Sequence, residues 1–158
     1  MRAKGFEEIS PQRKYHGIST QIIAQIKNVR VPFNVDIGVG DIIVPRAEER
    51  TINTQLPDFE APVIKTYSLE STIAEKFDAI LQRFELTGRM KDFYDIYYLS
   101  RTFDFEGAKL QAAIFETLQR RGTPYDRDSF KRVVALADDE DMQKRWKFFL
   151  KSPFGNIR

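Results

Sequence analysis

Cysteine is absent from the 158 residues, which removes disulfides, thiolate metal sites and cysteine nucleophiles together and fits a reducing compartment. Histidine occurs once, at His16. A metal centre or triad built on histidine therefore has little to draw on, and His16 reads as structural or exposed. No run approaches the roughly 18 apolar residues that a spanning helix needs. The start, MRAKGFEEIS, has two basic residues but no apolar stretch behind them, unlike a secretory signal. The expectation is a cytoplasmic protein. An excess of one charge is missing too: 25 basic side chains face 23 acidic ones, so no net field marks a nucleic-acid or membrane partner, although local patches can still matter. There is no internal repeat and no low-complexity tract.

What is present is 42% hydrophobic and 13% aromatic, enough for one sizeable core and short for two. The first part reads as sheet. Ile18 to Lys27 and Val29 to Val39 are rich in β-branched residues and alternate in polarity, which predicts two antiparallel strands with a tight connection near Asn28. A second turn is expected at Gly38-Val39-Gly40-Asp41, with Ile42 to Pro45 pairing back as a short third strand of a meander. Pro45 to Pro62 reads as an irregular connector, and Pro62 to Tyr67 as a last strand.

The period then changes. Leu69, Ile73, Phe77, Ile80, Leu81 and Phe84 recur at spacings of three and four, Ser68 stands where a cap belongs and Gly88 follows the end, so an amphipathic helix is expected here. Its apolar residues Phe77, Ile80, Leu81 and Phe84 are expected against the sheet. Further helices are predicted at Lys91 to Ser100, Glu106 to Arg121, Arg127 to Ala137 and Asp138 to Leu150. Sheet first and helices after, without βαβ alternation, predicts an α+β fold with a small mixed or antiparallel sheet followed by a helical bundle. The expected division is a sheet region at 1–67 and a helical region at 68–158, packed as a single domain.

Several charged residues have both a plain and a functional reading. Asp36 interrupts an apolar strand, so it either faces solvent at the sheet edge or coordinates something. Asp41 closes a glycine turn and can bond local amides. Lys76 flanks the apolar stripe, with its stem able to lie on the core and its ammonium to reach a cleft; Glu75 beside it reads as a solvated partner for a cation. Asp92 and Asp95 are one turn apart at a helix start, where the helix dipole alone would favour Asp92. Arg83, Arg89 and Lys91 add positive charge, either to hold phosphates or to neutralise these aspartates. The aromatic run Phe93, Tyr94, Tyr97 and Tyr98 reads as core and interface, with base stacking as the alternative. Asp138 to Asp141 reads as an acidic helix start.

Three stretches in order, NVDIGVGD (Asn34 to Asp41), TYSLESTIAEKFDAILQR (Thr66 to Arg83) and GRMKDFYDIYYL (Gly88 to Leu99), resemble the second and third motifs of the AbiEii/AbiGii-type toxin nucleotidyltransferases, of the polymerase-β-like superfamily. The resemblance covers roughly Tyr15 to Leu99. It implies transfer of a nucleotidyl group from a nucleoside triphosphate to an acceptor such as tRNA or a protein hydroxyl, with Mg²⁺ as cofactor, by the toxin half of a toxin–antitoxin or phage-defence pair. It makes Asp36, Lys76 and Asp92 the catalytic set, converging on one cleft, with Asp36 the metal-binding carboxylate and Lys76, Arg89 and Lys91 the nucleotide contacts. The family also places a Gly-Ser turn and an Asp-x-Asp pair on a strand ahead of those found here. No Gly-Ser-x-x-Asp-x-Asp occurs in this sequence, which begins too late to contain it. A two-ion site needs several oxygen ligands, so an incomplete or truncated form with a weak Mg²⁺ site is expected. The alternatives are one half of a split nucleotidyltransferase, and a non-catalytic module that binds nucleotide or protein.

Overall fold

A computed structural model describes residues 2–9 (backbone only), 17–40, 42–84 and 88–152. The chain forms two compact units, 1–41 and 42–158. The architecture is α+β, with the helices in the C-terminal part.

The first unit is an antiparallel sheet of β1 (Arg2–Ile9), β2 (Gly17–Ile26) and β3 (Val29–Gly38), in that spatial order. The hairpin between β2 and β3 is the expected one, closed by Lys27 and Asn28, with Lys27 at φ 53°. Register sets Ile18 opposite Ile37, Ile22 opposite Phe33 and Ile26 opposite Val29, while Ser19 faces Asp36 and Gln21 faces Asn34. Because strand side chains alternate, this hairpin has one apolar and one polar face, and Asp36 stands on the polar one.

The third strand of the meander is not Ile42 to Pro45. Those residues form no strand, and the partner added to β2 is β1. The reason lies in the second unit: Val44 N–H donates to Ser71 Oγ at 2.8 Å, and the Val44 carbonyl accepts from both Ser68 Oγ and Ser71 Oγ. Its backbone groups are satisfied by a helix cap, leaving none for a ladder. The connector after it also departs from expectation, since β4 (Glu48–Thr51) forms inside it and pairs antiparallel with β5 (Val63–Thr66) as a separate two-stranded sheet.

Helix α1 (Leu69–Arg83) begins at Ser68, whose side chain accepts from Ser71 N–H. It is followed by α2 (Met90–Thr102), α3 (Gly107–Arg121), α4 (Arg127–Ala135) with a 3₁₀ turn at Leu136–Asp138, and α5 (Glu140–Leu150). Gly122 ends α3 at φ 64°, a left-handed cap that a side-chain-bearing residue adopts with strain. Asp126 and Asp139 cap α4 and α5, so the acidic run at 138–141 is a helix start, as expected.

Helix α1 packs against α3, α2 and α4. Its Ile80 joins Met90, Leu136 and Met142 in the core, and Leu81 is buried too. Phe77 and Phe84 are only partly buried: Phe77 stacks on Phe130 of α4 with ring centroids 5.7 Å apart, and Arg132 lies 4.7 Å above the Phe84 ring. Within the 42–158 unit the apolar stripe thus packs on the other helices. In α2, Phe93 packs on the core, and Tyr94 stacks with Tyr98 and meets Trp146 and Phe149 of α5, which accounts for Phe93 and Tyr94 as packing, while Tyr97 and Tyr98 are exposed. His16 and Asp41 lie outside the described residues.

Candidate functional site

Cap and period together aim α1. With Ser68 fixing the first turn, Ile73, Ile80 and Leu81 turn inward, and Lys76 stands at the margin of that stripe beside α2. Its side chain is 21% exposed, and Nζ lies 2.7 Å from Asp95 Oδ2 and 3.4 Å from Asp92 Oδ1. The stem is covered and the ammonium meets two carboxylates one turn apart, as the i, i+3 geometry of α2 requires.

Asp92 is the buried member of that pair, with its side chain 5% exposed. Arg89 Nε approaches Asp92 Oδ2 to 2.7 Å, close enough to pair in charge. The geometry is not that of a hydrogen bond, and Oδ2 accepts none. Distance alone makes this an ion pair; direction makes hydrogen bonding fail. Lys91 turns outward, 64% exposed, and reaches Asp95 at 2.6 Å. Burial pushes the Asp95 carboxyl up, but hydrogen bonds from Lys76 and Lys91, together with their charges, outweigh it and hold the group below its ordinary value of 3.8.

Lys76, Arg89 and Asp92 line one cavity of about 360 Å³ with Tyr67, Thr72, Glu75, Ala79 and Arg121. Three cations and two carboxylates thus converge on a space at the small end of ligand pockets. A cavity of about 470 Å³ between α2, α4 and α5 is lined by Met90, Phe93, Val133, Met142 and Trp146 among others; it carries no charged group and no evident chemistry.

Arg121 and Asp78 were not singled out by the sequence. Asp78 is fully buried on α1 and accepts from Gln82, from Arg121 at 3.1 Å and from Thr123. Arg121 also pairs with Glu75, so Glu75 has the cationic partner expected of it. The only sequence signal was an aspartate on the inward side of an amphipathic helix, which demands a partner; nothing in the sequence names one 43 positions away.

Of the expected site residues, the structure brings Lys76, Asp92 and Arg89 to one cleft, while Lys91 is not part of its lining and pairs with Asp95. Asp36 belongs to the 1–41 unit, where it is exposed and Ser19 Oγ donates to its Oδ1 at 2.6 Å. Two Mg²⁺ ions need several oxygen ligands held together. Among the described residues no three Asp, Glu or His side chains gather as such a set, so these residues by themselves do not fit a two-ion centre. No helix among them is long and apolar enough to cross a membrane.

Comparison with curated proteins gives no match, and comparison with solved structures gives none either. The family described as nucleotidyl transferase AbiEii toxin, of a type IV toxin–antitoxin system, matches residues 2–157. That span holds both the strand bearing Asp36 and the charged cleft of α1 and α2, and the chain belongs to the AbiEii nucleotidyl transferase toxin family.

Proposed function

We propose that the 42–158 unit supplies the phosphate-holding half of a nucleotidyl transfer site for a nucleoside triphosphate, with tRNA or a protein hydroxyl as acceptor. The observation that carries this is the convergence of Lys76, Arg89 and Asp92 on one cavity, in a chain of a nucleotidyl transferase family. Lys76 and Arg89 would contact phosphate oxygens, where charge-assisted hydrogen bonds are strongest. Asp92, held under both cations, fixes their positions. Lys91 adds charge at the rim.

Asp36 is proposed as one carboxylate ligand for Mg²⁺, and it is not sufficient alone. The remaining ligands would come from a Gly-Ser and Asp-x-Asp element that these 158 residues do not contain, and its natural setting is a cytoplasmic toxin–antitoxin or phage-defence system whose second gene product is the antitoxin. Support for an incomplete centre is the ligand count: a single carboxylate leaves Mg²⁺ loosely held and hydrated.

Incorporation of labelled nucleotide into total tRNA or protein, with Mg²⁺ and all four triphosphates, tests this reading. The 158-residue chain alone should give none, and adding a polypeptide that carries the missing element should restore it. Restored activity should vanish in Asp36→Asn and Lys76→Ala. Strong incorporation by the chain alone would overturn the incomplete centre; restored activity indifferent to Lys76→Ala would remove the cleft from the chemistry.

A further inference from the structure

We propose that Arg121 is a further phosphate contact of this cleft and that the Glu75 carboxylate occupies, in the free protein, the place a substrate phosphate takes. This rests on the reading of the cleft as a triphosphate site.

Arg121 lies in the last turn of α3, outside every motif stretch, yet it lines the same cavity as Lys76 and Arg89. Two carboxylates of α1 hold it, and they differ in kind. Asp78 is fully buried and also accepts from Gln82 and Thr123, so it is locked in place. Glu75 lines the cavity, and its side chain is 23% exposed. Asp78 therefore fixes the guanidinium, while Glu75 can be exchanged for another anion without unseating it.

Charge decides what that anion is. The cavity lining carries Lys76, Arg89 and Arg121 against Glu75 and Asp92. Asp92 is buried beneath its cations and cannot leave cheaply. Glu75 is the lining carboxylate able to swing into solvent, and its departure uncovers Arg121 Nη2 while Nη1 stays on Asp78. A guanidinium nitrogen held in this way can donate to a phosphate oxygen.

The test is calorimetric titration of the 158-residue chain with inorganic tripolyphosphate and with ATP, alongside thermal melts. Glu75→Gln removes the competing charge and leaves the Asp78–Arg121 pair intact, so it should melt like the wild type and bind both probes about threefold more tightly, the size of effect expected for one ion pair at the cavity wall. Arg121→Lys should weaken both about tenfold, as loss of a charge-assisted hydrogen bond does. Lys76→Ala should weaken both as well. Unchanged or weaker binding by Glu75→Gln overturns the inference, and does so even where Arg121→Lys fails to fold. If Lys76→Ala weakens binding while Glu75→Gln does not tighten it, the inference falls and the triphosphate reading stands. If the wild type binds neither probe, both fall.

Discussion

Arg121 Nη1 lies 3.1 Å from Asp78 Oδ2, joining residues 43 positions apart, and this contact ties the end of α3 to the middle of α1. Asp78 is fully buried and surrounded by donors from Arg121, Gln82 and Thr123. A carboxylate so placed is stable only while its partners stay.

Asp78→Ala should therefore destabilise the chain by about 3 kcal/mol or more, the cost of leaving one half of a buried pair uncompensated. Chemical denaturation measures it. A loss of the size typical of a surface substitution, under about 0.5 kcal/mol, would mean that the network does not hold α1 to α3.

Ser68→Ala should cost about 1–2 kcal/mol, at the upper end for a lost N-cap. The same hydroxyl accepts from Ser71 N–H and donates to the Val44 carbonyl, so the change strikes both the first turn of α1 and the anchoring of the segment before β4. Ser68→Thr, which keeps the oxygen, should recover part of the loss in the same denaturation series. Equal losses for Ala and Thr would assign the cost to packing and not to the cap.

Phe77→Ala should cost about 2 kcal/mol, below the 3–5 kcal/mol of a fully enclosed phenylalanine, because the ring is partly exposed and rests on Phe130. Its effect should not add to that of Phe130→Ala, since the two substitutions remove one shared contact. Additive losses in the double mutant would show that the stacking contributes nothing.

Asp95 supplies a pH dependence with a definite sign. Its folded pKa lies below the ordinary 3.8, so its contribution to stability is fully present above that value and is lost as pH falls through the folded one. Urea denaturation from about pH 6 to about pH 2 should show a shallower acid loss for Asp95→Asn than for the wild type, with the two curves drawing together at the acid end. Parallel curves would mean that Lys76 and Lys91 do not stabilise the carboxylate.

The sequence by itself determined the local order. Alternation fixed the β2–β3 hairpin, the three-and-four spacing fixed α1, and Ser68, Asp126 and Asp139 set helix starts through contacts within three residues. These are short-range rules, and a single chain displays them directly. The Lys76 and Asp92 halves of the cleft were legible because each belongs to a recognisable motif stretch. What the tertiary structure alone decided were the partners. Ile42 to Pro45 has the composition of a strand, yet its backbone groups at Val44 are taken by Ser68 and Ser71. Phe77 belongs to the apolar stripe of α1, and only the fold shows that its ring stacks on Phe130 of α4. Arg121 joins Asp78 and Glu75 across more than forty positions, because burial of a carboxylate demands a compensating donor while leaving open which distant residue provides it.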